Sequence, residues 1–321
     1  MKAIVYHTYG SPDVLKLEEI EKPGPKDDEV LVKVHAASVN AADWHLLRGK
    51  PFLVRLMGYG LLKPKYPILG SDIAGRIEAV GSNVKQFKPG DEVFGNIRGG
   101  FAEYVCARED AVVLKPANIS FEEAAAVPIA GITALQGLRD KGHIQPGHKV
   151  LIQGASGGVG TFAVQIAKSF GAEATGVCST RNVDMVRSIG ADHVIDYTQE
   201  DFTKNGQRYD LILAANGYHS LSDYKRALSP RGIYVMTGGS SMAALFQAML
   251  LGPWISMTSS KKMGNLAAKV NHKDLVCLKD LLEAGKVVPV IERRYSLSDV
   301  AEAVRYLEEG HAKGKEVIAV G

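Results

Sequence analysis

The stretch VLIQGASGGVG at residues 150–160 supports two different chemistries. Gly154, Ser156 and Gly158 match the G-x-S-x-G turn that exposes a serine nucleophile for acyl transfer. Gly154, Gly157 and Gly160 match a spacing that brings backbone amides against a dinucleotide pyrophosphate. A nucleophile needs a later acid and histidine, for which chain order offers His193, His219, His272 and His311, but it has no use for Gly160. It also needs an oxyanion segment, and the nearest upstream candidate, RGGF at residues 98–101, lacks the histidine of the HGGG type. The glycines lie between an apolar strand and a helix, TFAVQIAKSF, whose first amides would face a ligand's negative charge. We therefore read Gly154, Ala155, Ser156, Gly157, Gly158 and Val159 as a phosphate cradle in which Ser156 has no catalytic duty.

The next strand discriminates between cofactors. An NAD enzyme ends it with Asp or Glu to accept from the ribose 2′-hydroxyl, whereas here it ends VCSTRN with no acid before Asp184. Ser179 and Thr180 can donate hydrogen bonds to a 2′-phosphate and Arg181 can add a bidentate cation, so NADPH is expected over NADH. The alternative is that Arg181 is a surface residue at a helix start and the site accepts both cofactors. Further contacts are expected at later strand ends, from Ala215 and Asn216 and from Thr237, Gly238 and Gly239.

Such a cradle needs a parallel sheet to hold it. After Lys149, strands and helices alternate: VLIQ, the glycine turn and its helix, EATGVC, the helix DMVRSI, HVID, YDLILAA, a helix around residues 221–228, and GIYVMTGG. The helix-to-strand joint recurs as GAEATGV and GADHVID, which indicates repeated βαβ winding and an open Rossmann sheet. Before about Gly100 the apolar runs are short, rich in Val and Ile and bounded by turns, as in EVLVKVHAASV and DIAGRIEAVGS. Ser120 and Glu123 form a capping box that opens a long helix, with Pro128 bending or restarting it. The tail from about Gly264 alternates again without a glycine loop and can complete the first domain. The expected fold is α/β: a doubly wound Rossmann domain at 128–263 and a discontinuous β-rich domain at 1–127 and 264–321.

Composition narrows the function classes. With 46% hydrophobic and 23% charged residues and a net charge of +3 from interleaved charges, the 321 residues read as an ordinary globular chain and not a nucleic-acid binder. Cys106, Cys178 and Cys277 form no CxxC pair, which removes a zinc-ribbon lobe and a disulfide framework and fits a reducing compartment. MKAIVYHTYG reads as a first strand and not a signal peptide. MAALFQAMLLGPWISM, at 242–257, is too interrupted to span a membrane and is read as a buried or subunit-contact helix, with a lining of the substrate pocket as the alternative. A cytoplasmic protein with no transmembrane segment is expected.

The blocks SVNAADWHLLRG, YPILGSDIAGRIEAVGSNVKQFKPGDEVFG, GGFAEY, AAAVPIAGITALQ, GASGGVG and AGKVVPVIERRYSLSDVAEAVRYLEEGHAKGKEVI follow the order of the medium-chain dehydrogenase/reductase superfamily. Within it the chain resembles the zinc-free, zeta-crystallin-like quinone oxidoreductases. The resemblance implies a GroES-like catalytic domain wrapped around the Rossmann domain, an active site in the cleft, and a homodimer. It implies Asn40 near the nicotinamide and the acceptor oxygen, Thr133 near the nicotinamide and Tyr197 near the adenosine. Asp43 is a further catalytic candidate, and Trp44 and Arg48 are pocket candidates. The superfamily's zinc alcohol dehydrogenases carry Cys where Asn40 stands and Gly-His-Glu where Gly70, Ser71 and Asp72 stand, so no metal is expected. His35 and His45 lack partners at ligand spacing.

Without a metal to stabilise an alkoxide, reducing an acceptor that is already electrophilic is the easier chemistry. A quinone, enone or enal spreads the incoming hydride's charge over its own π-system, and the protein supplies proximity and electrostatics. NADPH-dependent reduction of such a small molecule is the expected function. An NADPH-binding protein without turnover, structural or membrane-associated, and a zinc alcohol dehydrogenase are the alternatives. The long loop at 51–67 is read as shaping the acceptor pocket. Its Tyr59-x-x-x-Lys63 spacing, which activates a tyrosine in short-chain reductases, is read as coincidence because it precedes the glycine turn and abuts Pro64.

Overall fold

A computed structural model describes residues 1–238, 256–257, 259–310 and 312–321. Gly239, His311 and nearly all of the apolar window at 242–257 lie outside the described residues. The chain divides into one unit of residues 1–129, 270–283 and 289–321 and a second of residues 130–269 and 284–288.

The first unit opens with β1 (Lys2–Val5) and β2 (Lys16–Glu19), an antiparallel pair. The strands β3 (Glu29–Ser38), β4 (Asp72–Val80), β5 (Glu92–Asn96), β6 (Tyr104–Arg108) and β7 (Val112–Leu114) follow, with α1 (Ala41–Arg48) between β3 and β4. EVLVKVHAAS is apolar at most positions because β3 is central, hydrogen-bonded to both β4 and β6 and buried along most of its length. Pro128 restarts the helix: α2 (Phe121–Ala125), capped by Ser120 and Glu123, ends before α3 (Pro128–Gln136) begins.

The second unit carries β8 (Lys149–Gln153), α4 (Gly158–Ser169), β9 (Glu173–Cys178), α5 (Val183–Ser188), β10 (His193–Asp196), β11 (Tyr209–Ala214), α6 (Leu221–Ala227), β12 (Leu228–Met236) and β13 (Lys262–Asn265). Its sheet runs β10-β9-β8-β11-β12-β13, every pair parallel, which is the Rossmann order 3-2-1-4-5-6. The order reverses at β8, and register sets Gln153 opposite both Val177 and Ala214, so the strand ends flanking the glycine turn are level. This unit extends beyond residue 263 to Lys269 because β13 joins the sheet, with Gly264 opposite Val235. Residues 284–288 join it too, where the Gln165 side chain donates to the Val288 carbonyl at 2.9 Å and accepts from its amide at 2.8 Å.

The chain then returns to the first unit through α7 (His272–Glu283), β14 (Ile291–Ser296), α8 (Val300–Glu308) and β15 (Lys315–Ala319). β15 pairs antiparallel with β3, Val317 opposite Ser38, and parallel with β14. Val30, Val32, Leu47, Ile73, Phe101 and Val304 are among the fully buried side chains of this unit's core.

Candidate functional site

In the second unit the turn after β8 is shaped by glycine. Gly154 has φ +80°, a conformation that side-chain-bearing residues avoid. A Cβ on Gly160 would stand 2.0 Å from the Gly154 carbonyl oxygen, so the first turn of α4 rests on the glycine turn itself. A Cβ on Gly157 would meet nothing nearer than 3.6 Å. The leading amides of the 12-residue α4 have no intrahelical acceptors, and with the glycine turn they make a cradle that fits a pyrophosphate. Ser156 accepts a hydrogen bond from Nδ2 of Asn182 at 3.0 Å; its partner is an amide and not a histidine, so nothing activates it as a nucleophile.

Asn182 escaped the sequence reading. It is buried, and its Nδ2 also reaches Ser179 Oγ at 3.3 Å, tying the glycine turn to the end of β9 while its Oδ1 has no protein partner. Ser179 is half-buried and Arg181 exposed at that strand end. Thr180 corrects the expectation placed on it, because its hydroxyl donates to Oδ2 of Asp196 at 2.5 Å and is not free to donate to a phosphate. Hydrogen bonds from Thr180 and Thr198 hold the Asp196 carboxyl below its usual range. Asp196 ends β10, where register sets it opposite Cys178.

Tyr197 is exposed, with its ring edge-on to Tyr218 at 6.1 Å. The Ala215 amide donates to the Gln153 carbonyl at 3.0 Å, and the Thr237 amide to the Ala214 carbonyl at 2.9 Å. Asn216 lies against Gly154, and a Cβ on Gly238 would stand 2.4 Å from the Ala215 carbonyl oxygen. Thr133 is buried on α3.

In the first unit, Asn40 lies at the centre of a buried polar chain. The Lys315 ammonium donates to Asn40 Oδ1 at 2.5 Å and to the Val39 carbonyl at 2.8 Å. Asn40 Nδ2 donates to Asp72 Oδ2 at 2.9 Å and points at the Ser38 carbonyl at 3.4 Å. Asp72 also accepts from Asn96 Nδ2 at 2.7 Å and from the Ile129 amide at 3.2 Å. One amide thus joins an ammonium to a carboxylate, and both of its polar ends are committed within the protein. Burial pushes the Asp72 carboxyl up and the Lys315 ammonium down, and the opposite charge of each resists the other's shift. Asp43 accepts from the Asn40 amide at 2.8 Å and from the Gly70 amide at 3.1 Å, while burial pushes its carboxyl up to about 7. In the sequence Gly70, Ser71 and Asp72 stand out only as departures from a zinc site, and no local pattern marks Lys315 or Asn96.

A cavity of about 300 Å³ opens beside Asp43 and Asn96, with Tyr6, Tyr59 and Tyr66 in its wall. The Arg98 guanidinium, also in the wall, stacks 3.7 Å from the centroid of the Tyr66 ring. The long loop therefore contributes two tyrosines to the cavity, and Lys63 stays exposed. The other pocket candidates are engaged elsewhere: Arg48 makes a bidentate pair with Glu308 at 2.9 and 2.7 Å, and Trp44 stacks on His45 with centroids 3.5 Å apart. His35 stacks on Phe121 at 4.5 Å.

Residues 26–117 match the alcohol dehydrogenase GroES-like domain family, and residues 189–318 match the family described as zinc-binding dehydrogenase. The chain is 36% identical over 341 residues to a chloroplastic quinone oxidoreductase of Triphysaria versicolor, covering 99% of this chain and 98% of that one. It is 35% identical over 333 residues to the chloroplastic NADPH-dependent alkenal/one oxidoreductase of Arabidopsis thaliana, covering 99% and 79%. The crystal structure of Escherichia coli quinone oxidoreductase complexed with NADPH resembles it with a TM-score of 0.85 and 26% identity over 100% of both chains. The chain belongs to the quinone oxidoreductase family of the medium-chain dehydrogenase/reductase superfamily.

Proposed function

We propose that this protein is an NADPH-dependent reductase of quinones or α,β-unsaturated carbonyls that works without zinc. The bond from the Lys315 ammonium to Asn40 Oδ1 carries the reading. A divalent cation beside Asn40 would meet a fixed positive charge and an amide whose two polar ends already have partners, a donor set unsuited to zinc. An acceptor reduced there must delocalise the arriving charge itself, which is the property of a quinone, enone or enal.

NADPH, when bound, supplies the hydride. The amides of Ser156, Gly158 and Val159 would hold the pyrophosphate, since those of Gly154 and Ala155 already donate to the Val177 carbonyl and that of Gly157 to the Gly154 carbonyl. Ser179 and Arg181 would meet the 2′-phosphate while Asn182 keeps Ser179 in place beside Ser156. Tyr197 meets the adenosine, and Ala215, Asn216, Thr237, Gly238 and Thr133 serve the remainder. Asn40, its amide held by Lys315 and Asp72, is the residue that would serve the nicotinamide and acceptor, and Asp43 braces α1 against Gly70. The proton for the reduced acceptor comes from solvent or from a tyrosine hydroxyl of the cavity. A cytoplasmic homodimer completes the reading: three cysteines outside any disulfide suit a reducing compartment, and β10 and β13 are the edge strands of the sheet among the described residues, where a second copy can add.

NADPH consumption across a panel of quinones and enals, with zinc measured on the same protein, tests this. Consumption with substoichiometric zinc is expected. Tight NADPH binding with no consumption across the panel would leave a cofactor-binding protein without turnover.

A further inference from the structure

Six of the twelve large apolar side chains exposed among the described residues fall within residues 52–62. They are Phe52, Leu53, Leu56, Met57, Leu61 and Leu62, with exposures from 50% at Leu61 to 89% at Leu62. Clusters of this kind mark interaction sites. The surrounding charge is one-sided, since residues 44–71 hold Arg48, Lys50, Arg55, Lys63 and Lys65 and no aspartate or glutamate. Arg48 is taken by Glu308, and Arg55 donates to the Gly49 carbonyl at 3.0 Å and stacks on Tyr9. Lys50, Lys63 and Lys65 are exposed. The loop is anchored at its base: Tyr9 donates to the Gly60 carbonyl at 2.6 Å, and the Lys65 amide to the Tyr59 carbonyl at 2.7 Å. Apolar side chains thus stand out from a fixed turn.

We propose that this loop docks the protein on an anionic lipid bilayer, its apolar side chains entering the acyl boundary and Lys50, Lys63 and Lys65 meeting the headgroups. Apolar residues flanked by lysine and arginine, with no acid among them, are the composition of segments that settle about 5–10 Å into the interface. No helix among the described residues is long and apolar enough to cross a membrane, so the loop is an anchor on the surface and not a span. A symmetric contact with a second copy would set the same cations against each other, whereas an anionic leaflet satisfies both the charge and the apolar surface. Because Tyr59 and Tyr66 of this loop also line the cavity, docking would offer that cavity to acceptors dissolved in the bilayer. This last consequence rests on the reductase reading; the docking does not.

Co-sedimentation of the full chain with vesicles of phosphatidylcholine, alone or with added phosphatidylglycerol, is the test. Binding to the anionic vesicles is expected, about tenfold or more above the neutral ones and falling as salt rises. Leu56→Ser/Leu62→Ser and Lys63→Gln/Lys65→Gln should each lower it about tenfold or more while keeping the wild-type Tm and NADPH binding. Protein that stays in the supernatant with both vesicle types, or binding that neither variant weakens, overturns the proposal. So does sedimentation analysis showing an oligomer that Leu56→Ser/Leu62→Ser dissociates, which assigns the patch to a second copy. Turnover measured without vesicles separates the two readings: vesicle binding without NADPH consumption contradicts the reductase and leaves the anchor standing.

Discussion

The glycine turn of the second unit and the polar chain of the first prepare for charge in opposite ways. The turn works with backbone: bare glycines let amides and a helix end converge, and the negative charge arrives with the ligand. The polar chain works with side chains, burying an ammonium, an amide and a carboxylate together with their partners. A cluster of amides is neutral and can be hydrated, whereas buried ions must be satisfied within the fold or they destabilise it. Mutations in the first unit should therefore register in stability, and mutations in the cradle mainly in cofactor affinity.

The comparison breaks most readily at Lys315. Lys315→Met leaves Asp72 buried without its counter-charge and should cost about 3–5 kcal/mol in urea unfolding. Adding Asp72→Asn should recover much of that loss; strictly additive losses would mean that the two do not belong to one network.

Glu316, the next residue on β15, has both carboxylate oxygens buried without partners, and burial pushes its carboxyl from 4.5 up to about 7. The folded state then binds more protons than the unfolded state between those values, so stability falls as pH rises from 4.5 to about 7. Glu316→Gln should raise stability above this window by up to about 3 kcal/mol and flatten the slope. An unchanged slope would show the acid to be ionised and accommodated.

In the cradle, Gly160→Ala drives a Cβ into the Gly154 carbonyl oxygen and should cost about 1–3 kcal/mol as well as NADPH binding. Gly157→Ala has room and should weaken NADPH about tenfold while changing stability by no more than about 1 kcal/mol. Equal stability losses in the two variants would erase the distinction. The smallest effect is expected from Thr180→Val, about threefold or less in NADPH affinity, because that hydroxyl already serves Asp196. Arg181→Ala should cost about tenfold or more.

What the sequence made legible depends on how far apart the cooperating residues lie. The capping box at Ser120 and Glu123, the restart at Pro128 and the glycine turn are local, settled within a few residues, and the recurring helix-to-strand joints fix a parallel sheet. Lys315 meets Asn40 only because β15 lies antiparallel to β3, and Asp196 reaches Thr180 only because β10 pairs with β9 in one register. Lys315 and Glu316 also open an otherwise apolar strand, which reads as an exposed strand start, yet both are buried. Asn182 follows the same logic, since its amide bridges segments 26 residues apart.

Anaerobic stopped-flow tests the central claim most directly. Chelator-treated protein loaded with NADPH is mixed with a quinone or an enal, and nicotinamide absorbance is followed through a single turnover. The account predicts oxidation at the same rate before and after chelation. A rate that chelation abolishes and added zinc restores would contradict it.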